Sequence, residues 1–242
     1  MESPPAQDRT RELLLLDDAP IVGGAELFAL RLAQFAFDSG GPLVRVGCPA
    51  DSQLASRCAD EGVEWLPASL PPLSPTGAPR WPGGVCEIRS LLARAGRGTA
   101  AVANTAGAQA YVSAAAATMR PAARPPLVHV LHERETLARR SGRFAFRRMG
   151  SLVAIGENIA ATCRSHLPGV PIWKANNFLD PGTFGRREGR PPRDPPVIGV
   201  LARLIPEKGV LELVEELARA ETWDRALIAG PAQDPAYTRR VE

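Results

Sequence analysis

An α/β fold built on a parallel sheet is what this 242-residue sequence predicts. Three observations carry that expectation. Short continuous apolar runs alternate with segments of helical spacing from Leu13 onward. The runs are apolar on consecutive positions, as strands buried on both faces require. Glycine pairs and proline-rich stretches punctuate the alternation, so each strand and helix has a marked start and stop.

The elements follow in order. Leu13–Asp18 opens with a strand, "LLLLDD". Gly23 and Gly24 then make a turn, and the apolar spacing after them predicts a helix that stops at Gly40 and Gly41. "LVRVGC" reads as a strand, "SQLASRCADEG" as a helix and "VEWLPA" as a strand. "SLPPLSPTGAPRWPGG" is too rich in Pro and Gly for regular structure and is expected to be a surface loop. "CEIRSLLARAGR" is helical, "TAAVANT" a weak strand, "GAQAYVSAAAATMR" a helix and "PLVHVLHE" a strong strand. "LVAIGE" and "NIAATCRSHL" form the next strand–helix pair, followed by the extended "VPIWKANNFL". The charged, proline-rich segment at 186–195 reads as a linker between a domain of residues 1–185 and a second of residues 196–242.

Composition excludes several classes. The formal net charge is +3, too small a balance to argue for nucleic acid, so no nucleic-acid partner is expected. The apolar share of 45% is that of a soluble globule rather than a disordered chain. "MESPPAQDRTRE" is polar and unlike a signal peptide, and no apolar run approaches membrane-spanning length. Cys48, Cys58, Cys86 and Cys163 are scattered, which points to reduced thiols in a cytoplasmic protein rather than a zinc site or disulfide framework.

In doubly wound sheets, ligands bind at the carboxyl ends of the strands. Four places therefore matter. At Gly23-Gly24-Ala25-Glu26, the missing Cβ atoms and a following helix N-terminus suit an anion such as phosphate, or simply a tight turn. In "HVLHERE", His129 and His132 lie three apart and so on opposite faces of a strand. His132 ends the strand, where a cleft belongs, whereas His129 is expected to point into the sheet as a structural histidine. That disagreement of faces argues against a two-histidine metal site. "NNFLD", from Asn176 to Asp180, is either a plain turn or part of a cleft before the linker. In "VLARLIPEKG", Pro206 is placed to open a helix. Arg203 and Lys208 lie in that connection and either hold an anion or stand as solvated surface charges.

The order of these motifs resembles the retaining glycosyltransferases of family 4. Gly23, Gly24, Ala25 and Glu26 match a "GGAE" loop, and His132-Glu133 match a strand end in His-Asp or His-Glu. Asn176, Asn177, Phe178, Leu179, Asp180 and Phe184 match "NGVD…F", and Ala202–Gly209 match "GRLxPEKG". The resemblance covers nearly the whole chain, and "PEKG" is its specific element. It implies the GT-B fold: a Rossmann-like N-terminal domain on the acceptor side, and a C-terminal domain, here incomplete, that binds a nucleotide-sugar. It also implies transfer from a nucleotide-diphosphate sugar to an acceptor the sequence does not identify, with retention and without metal or other cofactor. Gly23, Gly24, Arg203 and Lys208 would hold the donor diphosphate. His132, Arg203 and Lys208 would be the catalytic set, and Glu26, Glu133 and Asn176 would line the substrate cleft.

The departures are Asn177 in place of glycine, Gly156-Glu157 where the family often has serine, and the short stretch past the linker. A pair of glutamates that grips the donor in the family has no counterpart there. Two alternatives therefore remain: a truncated, non-catalytic nucleotide-diphosphate-binding module that needs a partner chain, and a different doubly wound nucleotide-binding protein. Finally, "LARRSGRFAFRRMG" interleaves Arg139, Arg140, Arg143, Arg147 and Arg148 with Phe144 and Phe146. It is either a solvated basic segment or a peripheral contact with an anionic acceptor or the inner membrane face.

Overall fold

The computed structural model describes residues 12–95, 98–132, 149–177, 195–220 and 222–242. The chain divides into two compact units, Met1–Leu179 and Asp180–Glu242.

The first unit carries a seven-stranded sheet. Its strands are β1 (Glu12–Leu16), β2 (Leu43–Cys48), β3 (Trp65–Pro67), β4 (Thr99–Ala103), β5 (Leu127–Leu131), β6 (Ser151–Ile155) and β7 (Ile172–Ala175). The spatial order is β3-β2-β1-β4-β5-β6-β7, and every pairing is parallel. The chain works outward from β1 to β3, then crosses back to place β4 on the other side of β1. The carboxyl ends of β1 and β4 therefore flank a topological switch point, where the connecting segments diverge and leave a crevice.

Helices cover both faces. α1 (Gly24–Asp38) and α2 (Gln53–Asp60) pack on one, and α3 (Trp81–Arg94), α4 (Ala106–Ala117) and α5 (Glu157–His166) on the other. β1 shows why its sequence is apolar without alternation. Leu14 and Leu16 enter the layer under α3 and α4, while Leu15 enters the layer under α1 and α2. All three are buried, each contributing about 1.5–3 kcal/mol of transfer free energy.

The expected loop before α3 is shorter than its composition predicts. α3 takes in Trp81-Pro82-Gly83-Gly84. Pro82 sits in the first turn, where a backbone N–H has no intrahelical partner to lose. Gly84 permits close packing, since a Cβ there would lie 2.8 Å from the Tyr111 ring of α4.

The second unit holds a parallel pair, β8 (Val197–Leu201) and β9 (Arg225–Ala229), with helices α6 (Val210–Arg219) and α7 (Pro235–Val241). Val210, Leu211 and Tyr237 are buried against Val200 and Ile228, so one face of the pair is covered. The other face carries Leu201 at 89% exposure and Leu227 at 56%. A two-stranded sheet with one helical layer cannot cover both faces of its strands.

No described helix is long and apolar enough to cross a membrane. The basic segment from Leu137 lies outside the described residues except for Met149 and Gly150, as does the linker except for Pro195.

Candidate functional site

Three polar side chains meet at the switch point. Asp17 follows β1, Asn104 follows β4 and His132 follows β5. The Asn104 amide nitrogen donates to Asp17 Oδ2 at 2.7 Å and to the Ala25 carbonyl at 2.9 Å. Its Oδ1 meets His132 Nε2 at 3.0 Å. Asp17 Oδ1 accepts the Ala19 N–H at 2.9 Å, and the Asn104 N–H reaches the Leu16 carbonyl at 2.9 Å. Side chain and backbone together tie the ends of β1 and β4.

Burial sets the protonation of this cluster. Asp17 is fully buried, and loss of solvation raises its pKa to about 7. The Asn104 and Ala19 hydrogen bonds work against the rise, and the nearby charges of Glu26 and Asp18 add to it. Desolvation lowers the His132 pKa to about 4, so its ring is neutral at physiological pH. Phe28 of α1 meets that ring edge-on, with centroids 5.4 Å apart.

Glu26, Ala25, Asn104, Thr105 and His132 line a cavity of about 200 Å³. Sites for drug-sized ligands run to about 300–1,000 Å³, so this one suits a single ring or part of a larger ligand. Glu26 Oε2 accepts the Gly23 N–H at 2.6 Å, so a buried carboxylate already sits over the α1 N-terminus. Gly24 faces open space, with no atom beyond its own helix turn and chain neighbours within 4 Å of where its Cβ would be.

Asp18 does the same service for α4. It accepts from the Thr105 hydroxyl, which caps that helix, and it occupies the space a side chain on Gly107 would need. On the same edge of the sheet, a second cavity of about 480 Å³ is lined by Asp18, Asp51, Arg80, Glu87 and several prolines.

The structure thus brings Glu26 and His132 to one cavity, with Gly23 and Gly24 at its side. His129 also borders this cavity, yet it is a structural histidine, as the strand parity predicts: it is buried, its Nδ1–H reaches the Ala103 carbonyl at 2.8 Å, and burial lowers its pKa to about 3. Asn176 is exposed just past β7, two strands from β5, and does not line this cavity. Glu133, Asp180 and Phe184 lie outside the described residues. Among the described residues no group of three or more His, Cys, Asp or Glu could hold a metal ion.

Arg203 and Lys208 belong to the second unit, exposed in the connection from β8 to α6. Arg203 Nη1 donates to Gln233 Oε1 at 3.2 Å. Pro206 opens a single 3-10 turn, Pro206–Lys208, and not α6 itself. Gly209 breaks the path with φ 63°, a left-handed conformation that favours glycine, and α6 begins at Val210. The Leu211 N–H at the start of α6 is taken by the Tyr237 hydroxyl at 2.9 Å. One N–H at the start of this helix is therefore already paired and not open to an anion.

Asp17, Asp18 and Asn104 were not among the residues singled out from the sequence. Their signal was available: two carboxylates directly after an apolar run and an amide directly after the next strand that could pair with it, each at a carboxyl end.

No protein-family model and no curated protein matches the chain. Solved structures do. Anabaena HepE, solved with UDP-glucose, aligns with a TM-score of 0.67 at 20% identity over 95% of this chain and 64% of its own. A glycosyltransferase from Rickettsia africae aligns with a TM-score of 0.68 at 15% identity, over 96% of this chain and 64% of its own. S. aureus TarM aligns with a TM-score of 0.63 at 7% identity, over 96% of this chain and 74% of its own. The chain thus spans about 64% of the length of the first two. With a parallel, doubly wound sheet in the first unit and a two-stranded parallel sheet in the second, its architecture is that of the GT-B glycosyltransferases.

Proposed function

We propose that this chain serves glycosyl transfer from a nucleotide-diphosphate sugar, with retention at the sugar carbon and with protein cations in place of a metal. The observation that carries the reading is the cavity at the switch point, where Glu26 and a neutral His132 stand in a GT-B sheet. HepE, which shares this fold, was solved with UDP-glucose and with UDP.

In this reading the donor sugar enters the cavity and His132 accepts a hydrogen bond from one of its hydroxyls. Gly24, beside it, leaves backbone room for a diphosphate oxygen. Arg203 and Lys208 are the cations that bind the diphosphate. As the bond from sugar to phosphate breaks, negative charge grows on the leaving diphosphate. Fixed cations that meet this charge lower the barrier. An anionic acceptor or membrane surface at the basic segment from Leu137 is part of the same proposal.

The open face of β8 and β9 favours a second reading, in which the chain binds nucleotide diphosphate and transfers sugar only when another chain covers Leu201 and Leu227. Calorimetry with UDP and UDP-glucose, together with nucleotide release by the purified chain, separates the two. Binding with turnover supports the enzyme acting alone, and binding without turnover supports the partnered module. Arg203→Ala is expected to weaken UDP binding by about 2–5 kcal/mol without unfolding the chain. Unchanged affinity in that variant would remove the diphosphate cradle from the reading.

A further inference from the structure

We propose that Asp17 and Asn104 are positioning residues that lock His132 in one tautomer, Nε2–H, and so make its Nδ1 an acceptor for a ligand hydroxyl. The hydroxyl-bearing ligand rests on the function proposed above; the locked tautomer does not.

What each atom can donate or accept fixes the tautomer. The Ala25 carbonyl only accepts, and it lies 2.9 Å from one end of the Asn104 amide. Asp17 Oδ2, with its own Oδ1 engaged by the Ala19 N–H, lies 2.7 Å from the same atom. That end must therefore be the NH2 group, with both hydrogens used. The other end is a carbonyl oxygen, which only accepts, and it lies 3.0 Å from His132 Nε2. The proton of the neutral ring is then on Nε2, and Nδ1 carries a lone pair. Burial that holds the ring neutral supports the same assignment. Phe28 against the ring limits its rotation.

The consequence is selectivity by donor and acceptor type. His132 Nδ1 accepts, and the neighbouring Glu26 carboxylate accepts, already oriented by the Gly23 N–H. Two acceptors favour a group that donates, such as a sugar hydroxyl. They repel phosphate oxygens, which leaves the diphosphate outside this part of the cavity. Asp17 touches no ligand in this scheme and acts through Asn104.

Long-range proton–nitrogen NMR of 15N-histidine-labelled protein reads the tautomers directly. The chain has three histidines, and loss of a signal in His132→Gln assigns the one at issue. His129 provides an internal contrast, since its Nδ1–H donates to a carbonyl and fixes the opposite tautomer. Wild-type His132 is expected as Nε2–H alone between about pH 6 and 8. Asp17→Asn leaves one acceptor for two donors, the Ala19 N–H and the Asn104 NH2, and so loosens the amide, while Asn104→Leu removes the acceptor; both should populate Nδ1–H. A wild-type Nδ1–H ring, or an unchanged tautomer in both variants, overturns the proposal.

Calorimetry supplies the functional arm. Asp17→Asn should weaken UDP-glucose by about tenfold, the worth of one hydrogen bond, and leave UDP affinity unchanged. Equal loss for both ligands would mark Asp17 as merely structural and overturn its positioning role. Should the wild-type chain bind neither ligand, the function proposed above fails, and the NMR result alone decides the tautomer.

Discussion

Replacing Asp17 by Asn should change how the stability of this protein depends on pH. In the unfolded chain the Asp17 carboxyl ionises near 3.8, and in the folded chain near 7. Between those values the folded state keeps a proton that the unfolded state has released. The stability contributed by this proton is fully present below about pH 4 and is lost as the pH rises through 7. A gap of about three pH units, at about 1.4 kcal/mol each, corresponds to about 4 kcal/mol. The amide of the Asp17→Asn variant carries no such proton. Wild type should therefore lose about 4 kcal/mol relative to Asp17→Asn between pH 4 and pH 8. A constant offset from the mismatched hydrogen bond to Asn104 or Ala19 is added at every pH. His129 and His132, whose folded pKa values are lowered to about 3 and 4, work in the opposite sense. Their stability is present above about 6.5 and fades on acidification, but it is common to both proteins and cancels in the difference. Urea unfolding of both chains at pH steps from 4 to 8 measures this difference directly. A difference that stays flat across the series would refute the buried, desolvated Asp17 on which the argument stands.

Two further outcomes follow from the same geometry. Gly107→Ala would set a Cβ 1.7 Å from Asp18 Oδ2, and thermal unfolding should show a loss of about 1–3 kcal/mol, partly recovered when Asp18→Ala is added. An unchanged melting temperature would mean that the turn after β1 yields easily. His129→Ala should destabilise the fold by about 2–4 kcal/mol, whereas His132→Ala should cost less in stability and more in UDP-glucose affinity. The reverse order of stabilities would exchange the structural and ligand-facing roles of the two histidines.

Much of the architecture can be read from local pattern. The apolar run at Leu13–Leu16, the helix that ends before Gly40 and the opposite faces of His129 and His132 all follow from period and parity within a few residues. Pro82 and Gly84 misled for a reason that is equally physical. Their loop propensity is a local preference, and a first-turn position and a tight approach to Tyr111 outweighed it. Pro206 was expected to open a helix, but it opens only a 3-10 turn, and the left-handed Gly209 after it moved the start of α6.

What the tertiary structure alone decided is the strand order, and with it the site. Asp17 and Asn104 lie 87 positions apart, and Asn104 and His132 28 apart. Nothing within a strand or helix says that β4 crosses back to lie beside β1 rather than beyond β3. That choice comes from packing both faces of the sheet at once, and only after it is made do a carboxylate, an amide and an imidazole share one buried corner. The amino-acid sequence by itself determined that polar groups stand at the ends of apolar strands. Their hydrogen-bond partners, their protonation and the tautomer of His132 are properties of neighbours that only the folded sheet brings together.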